Sequence, residues 1–216
     1  MKKLYVQFGS GLSCPEGWQN LDVSPRLRVE RLPIVGSLIR AGNMSLFPAK
    51  TRFGDIVKGL PIENGTVDGV YSSHVLEHLP HQDMKIALQN TFKMLKTDGV
   101  LRLIVPDLQW RAQEYLDRYQ DEDPNGSFNF MRKSHLGIEA RSQGVSPRLR
   151  EILGNSAHLW MYDQYSMATE LKEAGFSKIH RCEMGDSGIP EFSLVEDESR
   201  FFDSGNPELA MEAVKQ

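Results

Sequence analysis

Cysteine is scarce in this chain, and the little there is does not pair. Cys14 and Cys182 are the only two among 216 residues, and neither stands at the short spacing that a zinc site or a redox motif uses. A disulfide framework and a structural zinc centre are therefore not expected, and a reducing cytoplasm is the expected location. Long apolar runs are missing too. None approaches the roughly 20 residues that cross a bilayer, so no membrane partner is expected. Lys2 and Lys3 lead only into LYVQF, too short for the apolar stretch of a secretory signal. There is no basic excess either. The formal net charge is −4, whereas a nucleic-acid partner favours a basic face. The group Arg26, Arg28, Arg31 and Arg40 reads as the solvated side of a helix. No internal repeat or long low-complexity tract interrupts the chain.

What remains is the composition of a soluble globular protein, 40% hydrophobic and 25% charged. The length suits one α/β domain with a full core and is short for two. KLYVQF, residues 3–8, is rich in β-formers and reads as a strand that ends in the glycine turn FGSG. GWQNLDV follows as a second strand, with no room for a crossover helix between them. Residues 25–40 have helical spacing broken by Pro33 and Gly36, which predicts an irregular helix. TRFGDI (51–56) is a short strand, and VDGVYS (67–72) is the next.

From Gln82 to Lys96 the apolar residues Met84, Ala87, Leu88, Phe92 and Leu95 share one helix face. Thr97-Asp98-Gly99 is the expected stop, with Gly99 as a left-handed cap. VLRLIV (100–105) is nearly all apolar, as suits a central strand covered on both sides. Residues 106–165 are the least regular and read as an insertion or lid over the sheet edge of a single domain, 1–216. A helix at about 164–174, stopped by Gly175, and a strand at SKIHRCEM follow. ELAMEAVKQ has the propensity of a helix. Strands alternating with helices imply an α/β fold with a mainly parallel sheet.

Two of these strands end in small polar turns, FGSG at 8–11 and Ser72-Ser73-His74. Side by side in a parallel sheet, such turns leave a place for a nucleotide-like ligand. Gly9 and Gly11 allow a sharp turn and close backbone approach. Asp22, ending the second strand, stands where a carboxylate can grip ribose hydroxyls. Asp55, after the third, can accept from an exocyclic amine such as adenine's.

FGSG, GWQNLD, GDIVKGLPIENGTVDGVYSSHVLEHLP and TDGVLRLIVPD, in that order, resemble class I S-adenosylmethionine-dependent methyltransferases. The likeness is to the small group related to the type 11 family, and HLWMYDQYSMATELKEAGFSKI and ESR…ELAMEAVK share it. The resemblance implies a Rossmann-like fold: a mostly parallel seven-stranded sheet, helices on both faces, and an antiparallel last strand. It places ELAMEAVK as that strand, against propensity. It also implies S-adenosylmethionine as cofactor, and the expected function is methyl transfer to a small or medium oxygen or nitrogen nucleophile of a small-molecule substrate. Carried over, Gly9, Gly11 and Asp22 meet the cofactor, Asp55 and Ile56 its adenine, and Ser72, Ser73 and His74 its methionine part.

Two departures stand out. Gln7 replaces an acidic residue of many relatives, and Ser13 replaces the third glycine of the longer pattern. The short link to GWQNLD implies that the first crossover helix is lost. A non-catalytic methyltransferase-like binding protein is one alternative. A nicotinamide-dependent dehydrogenase is another, although it needs the third glycine and the missing helix.

His74-x-x-Glu77-His78 matches the H-x-x-E-H of some zinc peptidases, but those histidines need a long shared helix face that a turn framed by Pro61 and Pro80 lacks. Some methyltransferases hold a divalent metal with a related E-x-x-E-H cluster, of which His74 replaces the first glutamate. No metal is assigned, and Glu77 and His78 are expected to hydrogen-bond and cap the helix start. For catalysis, His158 is the candidate base for a hydroxyl or amine acceptor, with Asp107 to orient it or the substrate. Arg111, His135 and Arg141 can pair with an acidic substrate, but as exposed charges they carry little weight.

Overall fold

The computed structural model describes residues 3–32, 45–137, 157–203 and 205–216. Strand β1 (Tyr5–Phe8) pairs in parallel with β2 (Trp18–Asp22). Residues 9–17 join them through turns alone, so the first crossover helix is absent, as expected. Nine extended residues reach about 30 Å, more than enough to retrace a four-residue strand of about 13 Å. Helix α1 covers Pro25–Glu30; the rest of the expected broken helix, 33–40, lies outside the described residues.

Strand β3 is only Arg52–Phe53, shorter than the expected 51–56. The chain turns away because the Asp55 carboxylate accepts from the Val57 N–H at 3.0 Å, a local turn that competes with further pairing. Strand β4 (Val67–Ser73), a 3-10 turn at Leu76–His78, helix α2 (His81–Met94) and strand β5 (Leu95–Val105) follow.

The stop signal after α2 works differently from the expectation. Leu95 already begins the strand, Asp98 rather than Gly99 takes the left-handed conformation (φ 61°), and Gly99 instead admits close backbone approach. A Cβ on Gly99 would lie 2.9 Å from the Lys96 carbonyl oxygen and 3.1 Å from that of Val67. Residues 106–165 also differ. The expected irregular insertion contains helices α3 (Leu108–Gln120) and α4 (Gly126–Lys133), while 138–156 lie outside the described residues. Helix α3 is largely polar, and its buried residue is Arg111.

Helix α5 (Gln164–Glu173) and strand β6 (Phe176–Arg181) occupy their expected places. The short helix α6 (Glu198–Phe201) leads to a small ribbon, β7 (Phe202–Asp203) and β8 (Asn206–Pro207), and then to β9 (Leu209–Lys215). The sheet order is β3-β2-β1-β4-β5-β9-β6, and β9 runs antiparallel to both neighbours. ELAMEAVK is therefore the antiparallel last strand despite its helical propensity; its alternating residues are needed on both sheet faces.

That alternation divides the core. Val6, Phe8, Leu101, Leu103, Val105, Leu209 and Met211 pack with Met84 and Leu88 of α2 and Met167 and Leu171 of α5. Tyr5, Trp18, Tyr71, Val100, Ile104 and Ala210 face the other way, under Phe192, Val195 and Phe201. Successive strand side chains point to opposite faces, so one strand feeds both clusters. The six strands β3, β2, β1, β4, β5 and β6 run in one direction and deliver their carboxyl ends to one edge, and the order reverses between β1 and β4.

Candidate functional site

The turn after β1 holds Gly9 (φ 65°) and Gly11 (φ 53°), both in the left-handed region. Their surroundings differ. A Cβ on Gly9 would lie 2.0 Å from Val75 Cγ2, so this glycine lets the turn after β4 pack against it. A Cβ on Gly11 would meet nothing within 4 Å, so open space faces that residue. Asp22 ties the turn to β2. One carboxylate oxygen accepts from the Gly11 N–H at 2.8 Å and the other from the Ser24 N–H at 2.8 Å. Gln7, buried, accepts from the Ser13 hydroxyl at 3.4 Å. Asp55 is held by the Val57 N–H and lies 3.2 Å from Lys58 Nζ, while Ile56 packs into the core.

Ser72 and Ser73 end β4, both buried, and their hydroxyls have no partner in the structure; nor has that of Ser10. Buried polar atoms are normally paired, so these hydroxyls leave hydrogen-bonding capacity at this edge. His74 comes next, held at φ 54°, a conformation that a side chain enters only under constraint from its surroundings. Its Nε2–H donates to the Arg200 carbonyl at 3.0 Å, and its Nδ1 lies 3.4 Å from Glu77 Oε1. Burial works to lower the His74 pKa, but the Glu77 carboxylate outweighs it and the pKa is raised.

Glu77 is fully buried, and neither of its carboxylate oxygens has a hydrogen-bond partner. The expectation that Glu77 and His78 cap the next helix is not met: Pro80 is the N-cap of α2 and no side chain caps it. Instead the backbone carbonyl of Glu77 accepts from Leu159 at 2.7 Å and Trp160 at 3.1 Å. His78 Nδ1–H donates to the Ala157 carbonyl at 3.0 Å, and the Trp160 ring stacks on His81 at 4.8 Å. These contacts bring residues 157–160 onto the turn after β4 and place His158 within 5.1 Å, ring to ring, of His78. The His135 ring lies 4.8 Å from that of His158. Burial pushes the His158 pKa down to about 4, with His78 and His135 acting in the same direction and Glu77 against it. His158 is therefore neutral at pH 7 and offers a lone pair.

A cavity of about 190 Å³ opens here, lined by His74, Pro106, Arg111, His135, His158, Ser199, Asp203 and Glu208. Its floor is a charged pair. Arg111, expected to be exposed, is buried and makes two 2.9 Å hydrogen bonds to Glu208. It is thus already committed and is not a free partner for an acidic substrate. Asp107 is also placed differently from its expected role beside His158. Its carboxylate caps α3 through Gln109 and Trp110 and lies 3.0 Å from Arg181. Only its backbone reaches the cavity floor, the N–H donating to Glu208 at 3.2 Å.

The structure therefore gathers Gly11, Asp22, Ser72, Ser73, His74 and His158 at the carboxyl edge or in the turns beyond it. Sequence reasoning missed Ser10, Val75 and Glu208. Glu208 had one signal, a carboxylate immediately ahead of an apolar strand. Arg141 lies outside the described residues.

A family model described as a methyltransferase domain matches residues 20–181. No curated protein sequence matches the chain. Among solved structures, a SAM-dependent methyltransferase from Methanosarcina mazei is similar over 100% of this chain and 93% of its own, at 14% identity and a TM-score of 0.52. A SAM-dependent methyltransferase from Archaeoglobus fulgidus is 15% identical over 99% of this chain and 86% of its own, with a TM-score of 0.49. A Haloferax volcanii structure, a methyltransferase in complex with the Trm112 activator, is 15% identical over 99% of this chain and 82% of its own, with a TM-score of 0.47. At such identities the likeness is one of fold.

Proposed function

This chain belongs to the methyltransferase-domain family of S-adenosylmethionine-dependent enzymes, and on that premise we propose that it methylates an oxygen or nitrogen of a small molecule held beside His158. One observation carries the reading: unpaired buried hydroxyls of Ser10, Ser72 and Ser73 stand at the strand ends, with a polar cavity lined by neutral His158. The residues fit the cofactor. Each Asp22 oxygen accepts one backbone N–H and keeps a second lone-pair site for a ribose hydroxyl. Gly11 leaves room beside it. Asp55 and Ile56 would meet the adenine, and Ser72, Ser73 and His74 the amino-acid end.

S-adenosylmethionine supplies, when bound, an electrophilic sulfonium methyl group. The chain's own contribution is to hold the acceptor in line with that carbon, which is worth much of the barrier. His158, whose ring is neutral, would take up the proton that the acceptor gives up on methylation. The Arg111–Glu208 pair, anchored to the backbone of Asp107 and Lys133, keeps the cavity floor in place. Two free thiols, Cys14 and Cys182, fit a cytoplasmic setting.

Isothermal titration with S-adenosylmethionine, S-adenosylhomocysteine and NAD tests the reading. Binding of the first two is expected. NAD binding alone would favour a dehydrogenase, and binding of none would favour a non-catalytic protein. Asp22→Ala should weaken S-adenosylhomocysteine binding far more than His158→Ala does; equal losses would mean that the cofactor lies elsewhere.

A further inference from the structure

We propose that Glu77, His78 and His158 form a binding site for a divalent first-row transition metal, with an open position toward the cavity. The three side chains offer one carboxylate oxygen and two imidazole nitrogens, all within 4.8 Å of one another. The sequence motif pointed instead to His74 with Glu77 and His78, and nothing local marked His158, 80 positions further on, as a donor.

Three independent features favour an ion here. First, the fully buried Glu77 carboxylate makes no hydrogen bond. With His74 Nδ1 no closer than 3.4 Å, this buried carboxylate lacks the hydrogen bonds that such groups normally have unless they ligate a metal. Second, the tautomer of His78 is determined by its partner. A carbonyl only accepts, so the 3.0 Å contact to Ala157 puts the proton on Nδ1 and leaves a lone pair on Nε2. That lone pair lies 3.7 Å from Glu77 Oε1, too far for a hydrogen bond, so two electron-rich atoms face each other across a gap. A backbone carbonyl holding the far nitrogen is also how ligating histidines are oriented. Third, His158 contributes a buried ring nitrogen, Nδ1, without a partner.

The donor chemistry selects the ion. Two imidazoles and one carboxylate suit zinc, cobalt, iron or manganese rather than calcium or magnesium, which prefer oxygen. Bonds of about 2.1 Å would set the donors about 3–4 Å apart, so the cluster closes by about 1 Å on the ion. Three protein ligands leave a fourth position. His158 lines the cavity, and that position opens into it. His74 is not a donor in this arrangement. Its Nε2–H is taken up by the Arg200 carbonyl, and the ring lies outside the group of three donors.

This role rests on the methyl-transfer reading and narrows its acceptor to a hydroxyl compound. A coordinated hydroxyl becomes acidic and loses its proton to solvent. Its oxygen then forms the carbon–oxygen bond as the carbon–sulfur bond of the donor breaks, sulfur keeping the electron pair. His158 then holds the ion and is relieved of the proton transfer.

The test uses full-length protein purified without a histidine tag, stripped with EDTA and titrated with Co²⁺ or Zn²⁺. Visible d–d bands of bound Co²⁺ and elemental analysis should give one equivalent per chain. Glu77→Gln and His158→Ala should each weaken uptake more than about tenfold, and His74→Asn should not. No stoichiometric uptake by the wild type overturns the site, whatever the variants do. Loss with His74→Asn but not with His158→Ala overturns the donor set. S-adenosylhomocysteine titration of the same samples keeps the two proposals apart. Metal uptake without nucleoside binding supports the site and removes the methyl-transfer reading; nucleoside binding without metal uptake overturns the site alone.

Discussion

At Gly9 two constraints coincide, a left-handed backbone and a Val75 methyl group where a Cβ would stand. At Gly11 only the first applies. Gly9→Ala should therefore cost about 3 kcal/mol, combining left-handed strain with overpacking, and Gly11→Ala about 1 kcal/mol. Urea denaturation measures both, and Val75→Ala in the Gly9→Ala background should restore about half of the larger loss; no rescue would mean that the contact is not the cause. The FGSG turn was visible as a turn from its glycines. Which neighbour fills the space beside Gly9 was not, because Val75 is brought there only by the pairing of β1 with β4. His158 shows the same limit. Its place in the connection ahead of α5 marks it as a candidate base, whereas its neutral state comes from burial and from two histidines that folding brings near it.

At the scale of elements, α5 begins with a capping box in which Asp163 and Ser166 satisfy each other's backbone N–H groups. Asp163→Ala should lower stability by about 1 kcal/mol, read as a shift in urea midpoint with unchanged slope. A second carboxylate joins strands. Asp68, at the start of β4, accepts from the Leu4 N–H at 2.7 Å and meets Lys96 at 2.9 Å. Burial works to raise its pKa, but the Leu4 N–H and Lys96 outweigh it and hold the value below 3.8. A folded carboxyl that binds its proton less tightly than the unfolded one stabilises above the unfolded pKa, and this is lost as pH falls through the folded value. Asp68→Asn should thus be less stable than wild type at pH 7, with the gap closing as pH falls below the ordinary aspartate range. A gap constant with pH would assign the loss to packing instead. Apolar periodicity had made α2, α5, β4 and β5 legible, since each buries one stripe or both faces. Helices α3 and α4 are less legible because they bury few apolar side chains, α3 being anchored by the buried Arg111.

For the whole molecule, Arg102 is the internal fastener. It is fully buried within β5 and bonds to Glu196, to Glu212 at 3.0 Å, to Asp186 at 2.9 Å and to the Glu183 carbonyl. Through it the segment 183–197 is fastened over the sheet face that α2 and α5 leave uncovered. Arg102→Met should cost about 3–5 kcal/mol, because the buried Glu196 and Glu212 carboxylates lose their cation. Glu196→Gln should cost less, since Arg102 keeps its other partners. Urea curves with limited proteolysis of the 183–197 segment would show both. Similar losses for the two variants would mean that the arginine is not the hub.

By itself the sequence determined the alternation of strands and helices, the glycine turn, the missing first crossover helix and the family resemblance. All of these arise from local backbone preference, hydrophobic period or short motifs. The antiparallel β9 followed from the resemblance, against its own propensity. Only the tertiary structure decided which polar groups meet: Asp22 with Gly11, Arg111 with Glu208, and His158 with Glu77 and His78. Those pairings join residues 11, 97 and about 80 positions apart, where charge and burial depend on chain packing rather than on neighbours in sequence. FGSG and VDGVYSSHVLEHLP marked the edge where the site lies, and the returning chain at 157–160 supplied the histidine that gives that site its chemistry.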